Sequence, residues 1–257
     1  IILEPLLAEK LNVTQHQEAR IQTMGEICDL VIVVGGDGSL LGAGRVLAKY
    51  GTPVVGINRG QLGFLTDILP QQMAMQLNQI LAGFFRIESR FLLNCWVNRD
   101  DQPIARGVAL NDVVLHPSEA VRMIEFELYI EGQFVYALRS DGLIIATPTG
   151  STAYALSGGG PIMHPSLEAI CLVPMFPHTL SSRPIVVSAN SEIKIVVGTS
   201  RGFAPKVSCD GQSGVQLAEG DSVYIVKKSH KLKLLHPLDH DFYEACRSKL
   251  GWSSKLT

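Results

Sequence analysis

Leu30-Val31-Ile32-Val33-Val34 runs without a polar residue into Gly35-Gly36-Asp37-Gly38-Ser39, and a helix-forming stretch follows from Leu40 to Tyr50. A β-branched run of that kind, with no alternation, predicts a strand covered on both faces, as in a parallel sheet. Pro53 to Asn58 repeats the signal as a second buried strand, and Gln71 to Ala82 reads as a further helix. This βαβ rhythm implies right-handed crossovers and a doubly wound sheet.

From about Arg90 the character changes. Phe91 to Val97, Asp112 to His116, Ile124 to Ile130, Phe134 to Leu138 and Gly142 to Ala146 are strand-like, with Glu131-Gly132 as a tight-turn pair. Pro184 to Val187, Glu192 to Val197, Lys206 to Cys209, Ser222 to Lys227 and Lys231 to Leu235 extend the pattern. Two helices are expected in this half, starting near Ser151 and near Ser166, and Asp241 to Leu250 reads as a helix folding back. The expected fold is therefore α/β. An N-terminal doubly wound parallel-sheet domain (1–88) precedes a mostly β second domain (89–235), and a C-terminal segment (236–257) packs on the first. A ligand is expected in the crevice between the parts, where α/β sheets bind.

Composition closes off several alternatives. A formal charge of −2 argues against a nucleic-acid binder that works by bulk electrostatics. The five cysteines are scattered without zinc-knuckle or redox-dithiol spacing, which predicts reduced thiols in a cytoplasmic protein. No segment approaches the roughly 18 apolar residues that a membrane helix needs. Among the seven histidines, none has metal-ligand spacing on a helix. His236 and His240 are four apart, but Pro237 lies between them, so no structural metal is expected.

Two loops carry the chemistry. At Gly35-Gly36-Asp37-Gly38-Ser39, glycines allow close backbone approach, and the helix start that follows favours anions. Asp37 there can take a proton from a hydroxyl or hold magnesium. The plainer reading makes Asp37 or Ser39 an N-cap. The second loop, Thr147-Pro148-Thr149-Gly150-Ser151-Thr152, has four hydroxyls where capping needs one or two, which favours a polar ligand pocket.

Taken together with Gly56-Ile57-Asn58-Arg59-Gly60-Gln61-Leu62-Gly63-Phe64-Leu65-Thr66, Leu110-Asn111-Asp112-Val113-Val114-Leu115-His116, Asp141-Gly142-Leu143-Ile144 and Ser208-Cys209-Asp210-Gly211-Gln212, these loops make the chain resemble the bacterial NAD kinases of the ATP-NAD kinase family. The glycine-aspartate block alone also resembles phosphofructokinases and lipid kinases; the ordered set is specific. The resemblance implies transfer of the γ-phosphate of ATP to the 2′-hydroxyl of the adenosine ribose of NAD, giving NADP. Asp37 then matches the catalytic base, with Gly38 beside it. Asn111 and Asp112 match a pair contacting NAD, and Asp141 matches a nucleotide-contacting acid. Thr152, Ala153, Tyr154, Ala155, Leu156 and Ser157 match the helix start that lines the NAD site. Gln212 matches a late contact, and Arg122 and Arg139 match positions that approach the nucleotide. The same resemblance implies a magnesium ion arriving with ATP and a homotetramer or larger homo-oligomer, with neither nucleic acid nor membrane as partner. The family's opening strand, loop and helix are expected to precede Ile1.

Alternatives remain at this stage. Asp112 can simply orient a strand end, Arg122 can be a solvated charge, and Tyr154 and Phe64 can be core instead of stacking on a base. A lipid kinase would share the first loop but should show an apolar acceptor cleft. A dinucleotide sensor without turnover would be little affected by loss of Asp37.

Overall fold

The computed structural model describes residues 1–13, 16–60, 63–118, 123–199, 204–212 and 214–252. Backbone contacts divide the chain into two compact units, Ile1–Arg90 with His230–Thr257, and Phe91–Ser229. Two long strands, Arg86–Arg99 and Ser222–His236, each begin in one unit and end in the other.

In the first unit, Val31–Val34 pairs in parallel with Val54–Ile57, which pairs in parallel with the end of Ser222–His236 through Leu234 and Val54. The helix Asp37–Leu47 buries Leu40, Ala43, Gly44 and Leu47, an i, i+3, i+4, i+7 stripe that lies on the sheet. Val54–Ile57 is buried throughout, as expected for a parallel strand. Val31–Val34 is not: Ile32 is 43% and Val34 57% exposed. The expectation of cover on both faces is corrected here, because no described element packs over that side of the strand. Elsewhere the Gln71–Ala82 segment resolves into a 3-10 turn at Pro70–Gln72 and a helix at Met73–Leu81. The C-terminal helix Phe242–Leu250 starts at Asp241, whose side chain accepts from Tyr243 N–H, and its Phe242 ring packs 6.5 Å from Phe64.

The second unit is a β-structure with two antiparallel assemblies. One has six strands in the order Ile185–Ser188, Ala169–Met175, Gly142–Ala146, Asp112–Pro117, Pro205–Cys209, Val215–Gln216. The other places Ile193–Val197 between Ile124–Ile130 and the first part of Ser222–His236, with Gln133–Ser140 beside Ile124–Ile130. Leu143, Ile145, Val113 and Leu115 from the first share a core with Phe126, Leu128, Ile193 and Ile195 from the second. The residues between them, Ile144, Ala146 and Val114, face a second core with Ala155, Met163 and Val173. Gly142–Ala146 is thus buried on both faces, although its neighbours are antiparallel.

Two expectations fail in this unit, and one strand was not expected. The apolar stretch after Ser166 is a strand, Ala169–Met175, and not a helix, because antiparallel neighbours on both sides satisfy its backbone. Ser222–Lys227 and Lys231–Leu235 are one strand, Ser222–His236. Gln102–Ala109, which was not among the expected strands, pairs along Arg86–Arg99.

Candidate functional site

Asp37 is the first residue of its helix, and Gly36, in extended conformation, is the N-cap. As a glycine, that N-cap has no side chain with which to cap the helix start. The Asp37 carboxylate turns instead to the Gly63–Thr66 loop. Its Oδ2 accepts from Phe64 N–H at 2.9 Å, and its Oδ1 accepts from Leu65 N–H and Thr66 N–H at 3.1 Å each and from Thr66 Oγ1 at 3.0 Å. Thr66 is held in turn by Asn58 Nδ2 at 2.8 Å. The plainer reading of Asp37 as an N-cap is therefore set aside: four donors fix a part-exposed carboxylate beside a glycine-capped helix start. Gly63 makes this possible, since a Cβ there would collide with Asp37 Oδ1 and Thr66 Oγ1.

In the second unit a different carboxylate organises the loop before Asp112–Pro117. Asp210, in left-handed backbone conformation, accepts through Oδ2 from Leu110 N–H at 2.9 Å and through Oδ1 from Asn111 N–H at 2.8 Å and Asp112 N–H at 3.1 Å. The other side of this loop meets the hydroxyl-rich turn. Thr147 Oγ1 donates to Leu110 O at 2.6 Å, and Thr147 N–H to Asn111 O at 2.9 Å. A Cβ at Gly150 would strike the Asn111 carbonyl, so only glycine lets the two loops touch.

The result is an asparagine and an aspartate held rigidly at a strand start. Asn111 Oδ1 is buried and has no protein hydrogen-bond partner among the described residues. Leaving such an oxygen dry costs about 1–3 kcal/mol, so it points to a ligand or water donor. Asp112 is 5% exposed. Burial first, and the Asp210 charge second, push its carboxyl up to about 7. It therefore sits near its half-protonated point at neutral pH, able to donate or accept.

The hydroxyl-rich turn is not the open polar pocket expected of it. Thr147 and Ser151 are fully buried and bond to backbone, Ser151 Oγ to Pro148 O at 2.7 Å and from Met163 N–H at 2.9 Å. Thr152 Oγ1 reaches Thr149 O at 3.3 Å. These bonds stitch the turn together, and the fully buried Thr147 and Ser151 leave no hydroxyl surface open to a ligand. The helix that follows is a single turn, Tyr154–Ser157, after a 3-10 turn at Gly150–Thr152. Tyr154 is 49% exposed, so it is not core, whereas Ala155 is fully buried in the core and offers no side-chain surface to a ligand. Thr152, Ala153 and Leu156 are partly exposed and Ser157 exposed.

The remaining expected residues are more scattered. Gly38 is exposed on the Asp37 turn. Asp141 is partly exposed, and Arg139 is exposed with Glu125 3.9 Å away. Gln212 is exposed just after the Asp210 turn, its N–H on Cys209 O at 3.0 Å. Arg122 lies outside the described residues. Sequence reasoning missed Asp210 as an anchor; the signal was its place in Asp210-Gly211, a pair that favours left-handed turns. Asn58 and Thr66 were likewise quoted only as part of a motif.

Both parts of the chain match known proteins. Residues 5–85 match the ATP-NAD kinase N-terminal domain, and residues 110–237 match the ATP-NAD kinase C-terminal domain. The NAD kinase of Pseudomonas fluorescens (strain Pf0-1) is 60% identical over 256 residues, covering 100% of this chain and 86% of that protein. That of Hahella chejuensis (strain KCTC 2396) is 62% identical over 254 residues, covering 99% and 86%. Yeast NADH kinase, solved with NADH, superposes with a TM-score of 0.88 at 25% identity, covering 100% of this chain and 79% of that one. An NAD kinase from Archaeoglobus fulgidus, solved with ATP, gives a TM-score of 0.76 at 27% identity, covering 97% and 95%. With both domain models matched in order and identity near 60% along its whole length, the chain belongs to the ATP-NAD kinase family and phosphorylates NAD with ATP as donor.

Proposed function

We propose that Asp37 is the general base that takes the proton of the NAD adenosine 2′-hydroxyl as the γ-phosphate of ATP is transferred to it. The observation that supports this is the grip on its carboxylate. Among the described residues, loop donors occupy Oδ1, while Oδ2 accepts a single N–H and keeps a lone pair for a substrate proton. A ribose hydroxyl is a poor nucleophile near neutral pH, and a positioned base is worth about 10²–10⁴ in rate. The glycine-capped helix start beside Asp37 suits a phosphate through its amides. Asn111 and Asp112 bind NAD in this reading: Asn111 Oδ1 accepts from an N–H or O–H of the dinucleotide, and Asp112 pairs with a hydroxyl or amide. The exposed Tyr154 face stacks on a base.

The carboxylate at Asp37 and the oxygen-rich surroundings of phosphate suit a hard cation, and magnesium is the ion we expect with ATP. When bound, it neutralises phosphate charge in a loose transition state. A homotetramer or larger assembly is the expected state. Phe176, 80% exposed, and Leu180, 98% exposed, support a contact surface there. The five free cysteines support a reducing, cytoplasmic setting, and no described helix is long and apolar enough to cross a membrane.

The test is Asp37→Asn. Turnover of NAD with ATP should fall about 10²–10⁴-fold, while NAD binding measured by calorimetry stays within a few-fold. Turnover within threefold of the parent would refute the base assignment.

A further inference from the structure

The strand Ser222–His236 runs into a turn closed by His240 N–H on Pro237 O at 3.1 Å. The turn brings His236 and His240 into a stack, with ring centroids 4.0 Å apart and planes 22° from parallel. Both Nδ1 atoms meet one oxygen: Asp67 Oδ2 lies 2.8 Å from His236 and 2.7 Å from His240. A carboxylate only accepts, so both Nδ1 atoms are the N–H donors. In the neutral imidazole that leaves each Nε2 with a lone pair. Both Nε2 atoms are buried without a protein hydrogen-bond partner among the described residues, and the His236 side chain is only 1% exposed.

Because the rings stack, their Nε2 edges face the same way, onto Glu88. Glu88 Oε2 is 3.6 Å from His236 Nε2, and Glu88 Oε1 is 3.8 Å from His240 Nε2. Two lone pairs and a carboxylate held at that range repel one another unless a proton or a metal ion lies among them. The spacing suits a metal ion. Two ligands each about 2.1 Å from zinc at a tetrahedral angle lie roughly 3.4 Å apart. The contacts to Asp67, at 2.7–2.8 Å, are too short for shared ligation and are ordinary hydrogen bonds. Asp67 thus has the place of the carboxylate that fixes the tautomer of a metal-binding histidine. The charges agree: Asp67 and Glu88 bring two negative charges, and Arg90, 3% exposed and bonded to Glu88, returns only one. A cavity of about 190 Å³ opens beside the cluster, with Asp67, Asp239, His240, Asp241 and Glu244 in its wall, an acidic approach for a cation.

We propose that His236 Nε2, His240 Nε2 and Glu88 bind one first-row divalent cation of the zinc class, with Asp67 as the positioning carboxylate. The site is separate from the nucleotide reading and from any ion carried by ATP. Asp67 follows Thr66, whose N–H and hydroxyl hold Asp37. Occupancy therefore pins the C-terminal turn to the loop that fixes Asp37.

The test uses the full chain, stripped with EDTA and free of nucleotide and magnesium. Cobalt(II) should bind at one equivalent and give visible ligand-field bands without the near-ultraviolet thiolate absorption that a cysteine site would add, and zinc should displace it. His240→Gln and Glu88→Gln should each weaken zinc binding at least tenfold, and Asp67→Asn by about 10- to 100-fold. Should the variants fail to fold, the parent spectrum decides. The absence of stoichiometric binding, thiolate bands, or binding unchanged in a folded His240→Gln would each overturn the site. So would nitrogen-15 spectra showing both Nε2 atoms protonated with zinc present. Turnover with ATP and NAD, assayed separately, bears on the kinase reading alone.

Discussion

Asp112 is a carboxyl group whose ionisation the fold opposes, and the cost can be measured. Its carboxyl is raised from 3.8 to about 7, by burial first and by Asp210 second. A carboxylate whose folded pKa is raised binds more protons in the native state than in the unfolded one across the intervening range. Stability from this group is therefore unaffected below about pH 4, falls as pH rises from about 4 to 7, and is fully lost above 7. A gap of about three units at 1.36 kcal/mol each sets the loss at about 4 kcal/mol. Asp112→Asn keeps the shape and removes the charge, so this slope should vanish. The assay is urea unfolding of parent and variant at intervals from pH 4 to pH 9. The variant's advantage should grow by up to about 4 kcal/mol between pH 4 and 7 and then stay level. A difference that does not change with pH would refute the assignment of Asp112 as a strained buried acid. A difference that grows in the opposite direction would show that a cation stabilises the ionised form.

Two further substitutions probe the anchoring of the site. Asp210→Asn keeps one oxygen for three amide donors and turns an NH₂ toward one of them. At about 1.5–3 kcal/mol per hydrogen bond to a charged group, it should cost roughly 2–4 kcal/mol in chemical unfolding and raise the KM for NAD; unchanged stability and KM would show that the clamp is dispensable. Gly63→Ala drives a methyl into Asp37 Oδ1 and Thr66 Oγ1. It should lower kcat at least tenfold while the KM for NAD moves little, and parent-like kcat would show that the loop yields without moving the carboxylate.

Much of the framework was legible in the residues. The apolar stripe of the Asp37 helix, the buried Val54–Ile57 strand, the Glu131-Gly132 turn and the C-terminal helix follow from local pattern, because periodicity and turn chemistry act over a few residues. Ordered motifs along the chain carried the family and its activity. Local pattern failed where neighbours decide. Ala169–Met175 is apolar enough for a helix or a strand, and its flanking strands chose.

The sequence by itself determined that Asp37 stands at a strand-to-helix turn and that Asn111-Asp112 opens a strand. Only the tertiary structure decided what holds them. Asp37 takes its donors from residues 27–29 positions away, and Asp210 reaches back about 100 residues to the Leu110–Asp112 amides. The same holds for Asp67, which meets His236 and His240 across 169 and 173 residues of chain. Pro237 ruled out a helix there correctly, yet the turn it allows stacks the rings just as closely. Hydrogen bonds and charge pairs form wherever folding brings groups within a few ångströms, and separation along the chain says nothing about that distance.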